Sequence, residues 1–149
     1  MNPRDFLQTA KDLLKSDKPA ACRTAFNRSY YAAYNVGVDL LEKSGHKVSR
    51  SAKAHNEVTT YLNNCAIQEL VEAQQKLVNL YSDRIKADYQ LWPSHVEKIN
   101  NAKLAVKRAE IVIQTFDSYS SASARQRIAK GINSYKHKIK SVSGTSPDS

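Results

Sequence analysis

Glycine and proline are scarce in this chain, with four of each among 149 residues. Both supply the backbone angles of tight turns, so a turn-rich all-β fold is excluded. No run of about eighteen apolar residues occurs, which predicts that nothing spans a membrane. The first residues, MNPRDFLQTAKDLL, lack the basic segment and apolar run of a secretory signal. We therefore expect a cytoplasmic protein.

Cysteines are also few. The two present, Cys22 and Cys65, fit neither a metal-ligand spacing nor a disulfide framework. Free cysteines in a chain without a secretory signal are usually small core residues in a reducing compartment. We therefore expect both to be buried and unpaired.

Several signatures of catalysis are absent from the sequence. It contains no glycine-rich phosphate loop, no HExxH, no GxSxG and no paired-cysteine zinc site. The acidic residues are too scattered to suggest a two-metal nuclease. The sequence therefore predicts neither a metal nor a cofactor.

Acidic residues are outnumbered, 14 against 23 basic ones, and the net charge is +9. From Ser120 onward six basic residues face a single acid, Asp148. Lys and Arg displace counterions from phosphates, so this balance favours a polyanionic partner. For the C-terminal segment alone, a solvated tail without a partner is the alternative.

Helix-forming residues are plentiful, and the caps and breaks between them predict an all-α fold. The predicted helices span residues 3–15, 19–43, 55–64, 66–90, 94–116 and 124–142. We expect an up-and-down bundle of four or five helices with a basic C-terminal helix or tail. The predicted organisation is a helical bundle over 1–118, a basic helical extension over 119–142 and a disordered tail over 143–149.

The stretch RSYYAAYN, in the second predicted helix, gathers three of the eight tyrosines. Tyr30 shares the apolar face of the helix and is predicted to be a core residue. Tyr31 and Tyr34 form a shoulder beside that face, which predicts a second buried contact with another helix or a second subunit. Arg28 and Asn35 lie nearly above one another on the opposite, exposed face. The apolar face consists of Cys22, Phe26, Ser29, Tyr30, Ala33, Gly37 and Leu40.

A second irregularity lies in the fourth predicted helix, where Arg84 occupies a position in an apolar stripe. Asp88 follows one turn later, so the two side chains can pair. A buried arginine needs such a partner. The pair either serves the bundle alone or belongs to a charged pocket near Arg28. The stripe reads Leu70, Ala73, Leu77, Leu80, Arg84, Ala87 and Leu91.

Three segments, in this order, resemble the HEPN domain family, and most closely its small stand-alone members. Residues 28–32 match the helix motif Arg-x-Tyr-Tyr-Ala of these proteins. His55 matches a later histidine-containing segment, and residues 84–89 match an Arg-x-x-x-Asp-Tyr segment. The resemblance covers roughly residues 4–118.

The resemblance implies a four-helix bundle that usually forms a homodimer. Many members of the family are metal-independent ribonucleases of toxin–antitoxin or defence systems, whose arginine and histidine on one helix meet across the dimer. Other members pair with a nucleotidyltransferase or bind nucleotides without cutting RNA. Arg28 matches the family arginine, but Asn35 stands where a histidine is expected.

This departure bears directly on catalysis. Asparagine cannot exchange a proton near neutral pH, although it can hold a phosphate oxygen or a hydroxyl. RNA cleavage by the 2′-hydroxyl needs a base and an acid, while Arg28 could neutralise the phosphorane. The proton carrier would then be His55 or His46, and Tyr31 could supply a hydroxyl.

Two functional hypotheses follow. The first is an RNA-directed HEPN-like protein, with metal-independent endoribonuclease activity in a toxin–antitoxin or defence system. The second is a non-catalytic subunit that binds a nucleotide or a partner, either a nucleotidyltransferase or an antitoxin. A purely structural helical dimer is a third alternative. The candidate catalytic residues are Arg28, Asn35, His55 and Tyr31. The candidate RNA- or nucleotide-binding residues are Arg28, Arg84, Asp88, Tyr89, Arg50 and Lys53.

Overall fold

The computed structural model describes residues 1–92 and 94–143. All regular structure in these residues is helical, which confirms the predicted all-α helical bundle. The helices are α1 (Arg4–Leu13), α2 (Pro19–Lys43), α3 (Ala54–Asn63), α4 (Gln68–Tyr89), α5 (Ile99–Asp117) and α6 (Ala122–Ser143). A short 3₁₀ helix, Ser94–Glu97, precedes α5. No helix in the described part is long and apolar enough to cross a membrane.

The ends of the helices follow their local residues. Helix α2 begins with Pro19 in its first turn and ends just before Gly45, whose φ is 91°. Two predicted starts are wrong. Ala66 has a φ of 61°, which no helix accommodates, so α4 starts at Gln68. Ser94 begins the 3₁₀ helix, and the extended Lys98 separates it from α5.

Helix α2 is the central element, because it packs against α1, α4 and α5. Its predicted apolar face is buried throughout, from Cys22 to Leu40. Cys22 and Cys65 are both buried and free, as expected. Of the stripe predicted on α4, Leu91 is 83% exposed because the helix has already ended at Tyr89.

Helix α6 is held to the bundle by few contacts. Ile128 and Ile132 are fully buried, while Ile139 and Val142 are exposed. A Cβ on Gly131 would lie 1.9 Å from the carbonyl oxygen of Cys65, so only glycine permits this close approach. The predicted disordered tail lies outside the described residues, apart from its first residue, which belongs to α6.

Candidate functional site

A group of aromatic rings from three helices lies at the edge of the core, with Tyr30 buried and the others half-buried. We call it the tyrosine–histidine cluster: Tyr30, Tyr31 and Tyr34 of α2, His55 of α3, and Tyr81 of α4. Tyr30 is 3% exposed, and its hydroxyl lies 2.8 Å from Nδ1 of His55. The His55 ring stacks on Tyr81 with 3.8 Å between ring centroids and 16° between planes. These two contacts hold the Nδ1 atom and one face of the His55 ring.

Arg84 lies against the same rings. Its guanidinium carbon is 5.9 Å from the Tyr30 ring centroid and 5.1 Å from that of Tyr31. Its Nε donates to Oδ2 of Asp88 at 2.9 Å, so the predicted pair is present. Asp88 Oδ2 also accepts a hydrogen bond from Asn27 Nδ2 at 2.8 Å. The pair is therefore part of the site and ties α4 to α2.

The electrostatics of the site favour a neutral histidine. Burial lowers the pKa of His55, and the nearby Arg84 charge lowers it further. Burial raises the pKa of Tyr30 far above its ordinary value, so its hydroxyl keeps its proton. Burial alone would lower the pKa of Arg84, but Tyr31, Asp88 and Tyr89 together outweigh burial and raise the pKa. At neutral pH the site therefore combines a neutral imidazole with a permanent cation.

The second ring nitrogen of His55 has no hydrogen-bond partner among the described residues, and the residue is only half-buried. The tautomer decides which group donates between Nδ1 and the Tyr30 hydroxyl. When Nδ1–H donates to the hydroxyl, Nε2 carries a lone pair and can accept a proton. This geometry suits a general base.

Arg28 and Asn35 make no hydrogen bond with each other in the described structure, and each contacts a different group. The guanidinium of Arg28 lies over Phe6 of α1, 5.3 Å from the ring centroid. Asn35 Nδ2 donates to the backbone carbonyl of Tyr31 at 2.8 Å. Both residues are half-buried, so the prediction of an exposed face was wrong, because α1 packs beside it.

The shoulder of tyrosines finds its partners inside the chain. The Tyr31 ring lies 6.3 Å from Phe6 and also beneath Arg84. Tyr34 stacks on Tyr30 with a 5.6 Å centroid separation. The predicted contact with another helix is therefore observed for Tyr31, whereas the ring partner of Tyr34 lies on α2 itself.

Asn35 lines a cleft of about 370 Å³ between α2 and the loop that follows it. Arg50 lies in the same cleft, together with two acids, Asp39 and Glu42. Tyr34 belongs to both this cleft and the tyrosine–histidine cluster, so the two are neighbours. With two acids against one arginine, the cleft is a poor place for a phosphate.

The remaining candidates lie at the edges of the site. Tyr89 is 70% exposed, and its ring centroid lies 5.7 Å from the Arg84 guanidinium. Lys53 is exposed at the start of α3. His46 is 5% exposed and contacts Tyr61 and Lys136, so it is not part of the cluster.

The sequence did not single out Tyr81 or Asn27. Tyr81 directly follows Leu80 of the predicted apolar stripe. Asn27 directly precedes Arg28, which was a candidate site residue. No group of three or more His, Cys, Asp or Glu side chains in the described residues could hold a metal ion. No family model, curated protein or solved structure matches the chain.

Proposed function

We propose that this protein is an RNA-directed, HEPN-like domain that cleaves RNA without a metal, and that His55 is its general base. The observation that carries the proposal is the neutral His55, clamped between Tyr30 and Tyr81 beside the charge of Arg84. A histidine that is neutral at neutral pH has an unprotonated ring nitrogen and can therefore act as a base there.

The proposed reaction is an internal transfer on the RNA backbone. Nε2 of His55 removes the proton from a 2′-hydroxyl, whose oxygen attacks the adjacent phosphorus. The bond from phosphorus to the 5′ oxygen breaks, leaving a 2′,3′-cyclic phosphate. The Tyr31 hydroxyl donates a proton to the leaving 5′ oxygen, while Arg84 stabilises the charge on the phosphorane.

Other residues would bind the RNA on either side of the reacting phosphate. Tyr89 offers an exposed ring on which a base can stack. Arg28 and Lys53 supply charge for neighbouring phosphates. Asp88 orients Arg84 rather than touching the substrate, because its Oδ2 is already occupied by Arg84 and Asn27.

The biological setting of the proposal comes from the family resemblance. In this setting the protein is a cytoplasmic homodimer that acts as the toxin of a toxin–antitoxin pair or as part of a defence system. The contacts of Tyr31 with Phe6 and Arg84 do not require a second subunit. Molar mass from light scattering tests the dimer separately from the reaction.

The central experiment is incubation of the purified protein with total RNA in EDTA. We expect cleavage by the wild type and a loss of about 100-fold or more for His55→Gln, which is typical of removing a general base. His95→Gln is the matched control, because His95 pairs with Asp83 outside the cluster. Absence of cleavage by the wild type, or equal cleavage by His55→Gln, would contradict the catalytic proposal.

A second function is favoured by one specific observation. Asn35 stands where the family resemblance places a histidine, and its amide is turned back onto its own helix. The protein would then be a non-catalytic subunit that binds a nucleotide and pairs with a nucleotidyltransferase or an antitoxin. Nucleotide that co-purifies with the protein, seen by absorbance and mass spectrometry and without RNA cleavage, would support this function instead.

A further inference from the structure

Helix α6 is strongly positive and lacks acidic residues altogether. The ion pairs among the described residues all lie elsewhere in the chain. Lys136 is engaged internally, because its Nζ lies 5.0 Å from the Tyr61 ring centroid and 3.3 Å from Nδ1 of His46. The other cations of the helix are Arg125, Arg127, Lys130, Lys138 and Lys140. None of these five cations forms an ion pair with an acid of the described residues.

Three of these cations line one cleft, which we call the α6 cleft. It has a volume of about 400 Å³ and lies between α6 and the turn that joins α3 to α4. Hydroxyl and amide groups accompany the cations, and none of the described acids lines the cleft. The lining residues are Asn64, Cys65, Ala66, Arg127, Lys130, Gly131, Ser134, Tyr135 and Lys138.

The floor of the cleft is tightly built. Gly131 brings α6 directly against the Cys65 carbonyl, where any side chain would collide. Ala66 adopts a left-handed φ of 61°, an uncommon conformation for a residue with a Cβ. The close approach at Gly131 therefore fixes where α6 crosses the α3–α4 turn.

The cations also follow one line along the helix. Arg127, Lys130 and Lys138 are separated by three and eight residues, with Ser134 between the last two, so they share one face. At a rise of about 1.5 Å per residue, this line is roughly 16 Å long. A row of this length can contact several consecutive phosphates of an extended strand.

We propose that the α6 cleft binds the phosphate backbone of single-stranded RNA as a second contact surface. This inference rests on the proposed RNA-directed function and adds a place where the strand is held away from the reacting bond. None of the lining residues belongs to the tyrosine–histidine cluster. The cleft at Asn35 is the weaker candidate, since Asp39 and Glu42 line it.

The test is binding of a labelled single-stranded oligouridylate, measured by fluorescence anisotropy in EDTA. All proteins carry His55→Gln so that the strand stays intact. The α6 variant adds Arg127→Gln, Lys130→Gln and Lys138→Gln. The matched control adds Lys18→Gln, Lys98→Gln and Lys103→Gln, which remove the same charge from exposed positions elsewhere. Circular dichroism checks that both variants fold.

We expect the α6 variant to bind at least about tenfold more weakly than the control. Its slope of log affinity against log salt should be shallower by about 2, because each phosphate contact on a single strand contributes about 0.7. Equal losses in the two variants would overturn the inference and leave RNA binding elsewhere intact.

The two proposals fail in different ways. If the chain with His55 intact never cuts RNA, but the α6 variant still loses binding, the catalytic proposal fails and this inference stands. If the protein carrying only His55→Gln binds no RNA, this inference fails, and the cleavage assay alone decides the catalytic proposal. Binding only to phosphatidylserine vesicles, lost in the α6 variant, would assign the cleft to a membrane surface and overturn the inference.

Discussion

The single residue on which the proposed chemistry depends is His55. Its Nδ1 is hydrogen-bonded to the Tyr30 hydroxyl, and its ring stacks on Tyr81. Arg84 lies close enough to disfavour protonation of the imidazole. A histidine held in this way is neutral, oriented and open on one nitrogen. His95 lies in different surroundings, since its Nε2 is 3.1 Å from Oδ1 of Asp83.

The charge of Arg84 should be measurable through the titration of His55. Burial is the larger cause of the lowered pKa, and Arg84 is the second. Arg84→Gln should therefore raise the pKa of His55 while leaving it below the ordinary 6.5. The measurement is the pH dependence of the His55 Cε1–H chemical shift by NMR.

Arg28→Gln is the matched control for this titration, because Arg28 lies over Phe6 and is not a cause of the His55 shift. It should leave the titration of His55 unchanged. A pKa that is unaffected by Arg84→Gln, or that moves equally in both variants, would contradict the electrostatic account of the site.

At this scale, the residues that local spacing could predict were those with a partner on the same helix. Arg84 and Asp88 are four residues apart, and their pair was visible in the sequence. Tyr81 and Asn27 find their partners on other helices, so spacing could not reveal their contacts. The same limit explains why Arg28 was placed on an exposed face, since its partner Phe6 lies on α1.

At the scale of the element, Arg23 determines how α4 ends. Its guanidinium donates to four backbone carbonyls at the end of α4 and just beyond, and its Nε donates to Glu97 at 2.9 Å. Carbonyls at the end of a helix generally lack a partner within the helix, although that of Lys86 also accepts from the backbone N–H of Gln90. The side chain is 13% exposed and links α2 to α4 and the 3₁₀ helix. The carbonyls belong to Lys86, Ala87, Gln90 and Leu91.

Arg23→Lys should destabilise the fold although the charge is kept. A lysine can still pair with Glu97, but it lacks the planar fork that reaches several carbonyls at once. We expect a loss of about 2 kcal/mol in the free energy of unfolding, measured with urea. Hydrogen exchange should increase first in the last turn of α4.

Arg28→Lys serves as the comparison for this loss, because Arg28 contributes a ring contact with Phe6. Such contacts at accessible positions contribute roughly 0.5–1 kcal/mol. If the two substitutions cost the same, Arg23 does not act as a clamp for the end of α4.

The extents of the helices were largely predictable, because proline and glycine mark the ends of α2 in the sequence itself. The errors occurred where the backbone conformation of a single residue decides where a helix begins. The left-handed Ala66 delays α4, and the extended Lys98 interrupts the helix predicted from residue 94. Alanine and lysine are good helix formers, so their propensities pointed the wrong way. The role of Arg23 had no local signal, since its acceptors are more than sixty residues away in the chain.

At the scale of the whole molecule, which carries a net charge of +9, two sheltered histidines make the stability of the fold depend on pH. Burial lowers the pKa of His46 and of His55, with Lys136 and Arg84 respectively adding to the effect. Both histidines belong to the folded architecture: His46 contacts α6 through Lys136, and His55 packs between α2 and α4. Proton uptake should therefore weaken the attachment of α6 as well as the central bundle.

The folded protein should accordingly lose stability as the pH falls below about 6.5, the ordinary pKa of histidine. Above that pH both histidines are neutral in the folded and unfolded states, so they cost the fold no stability. Below it the unfolded chain takes up protons first, because the folded pKa values are lower, so unfolding becomes easier. Urea unfolding at about pH 7.5 and about pH 5.5 should show this loss in the wild type, and a smaller one in a variant carrying His46→Asn and His55→Asn. His137→Asn, at an exposed position on α6, should behave as the wild type. A double variant that loses as much stability as His137→Asn would show that the acid sensitivity arises from other groups.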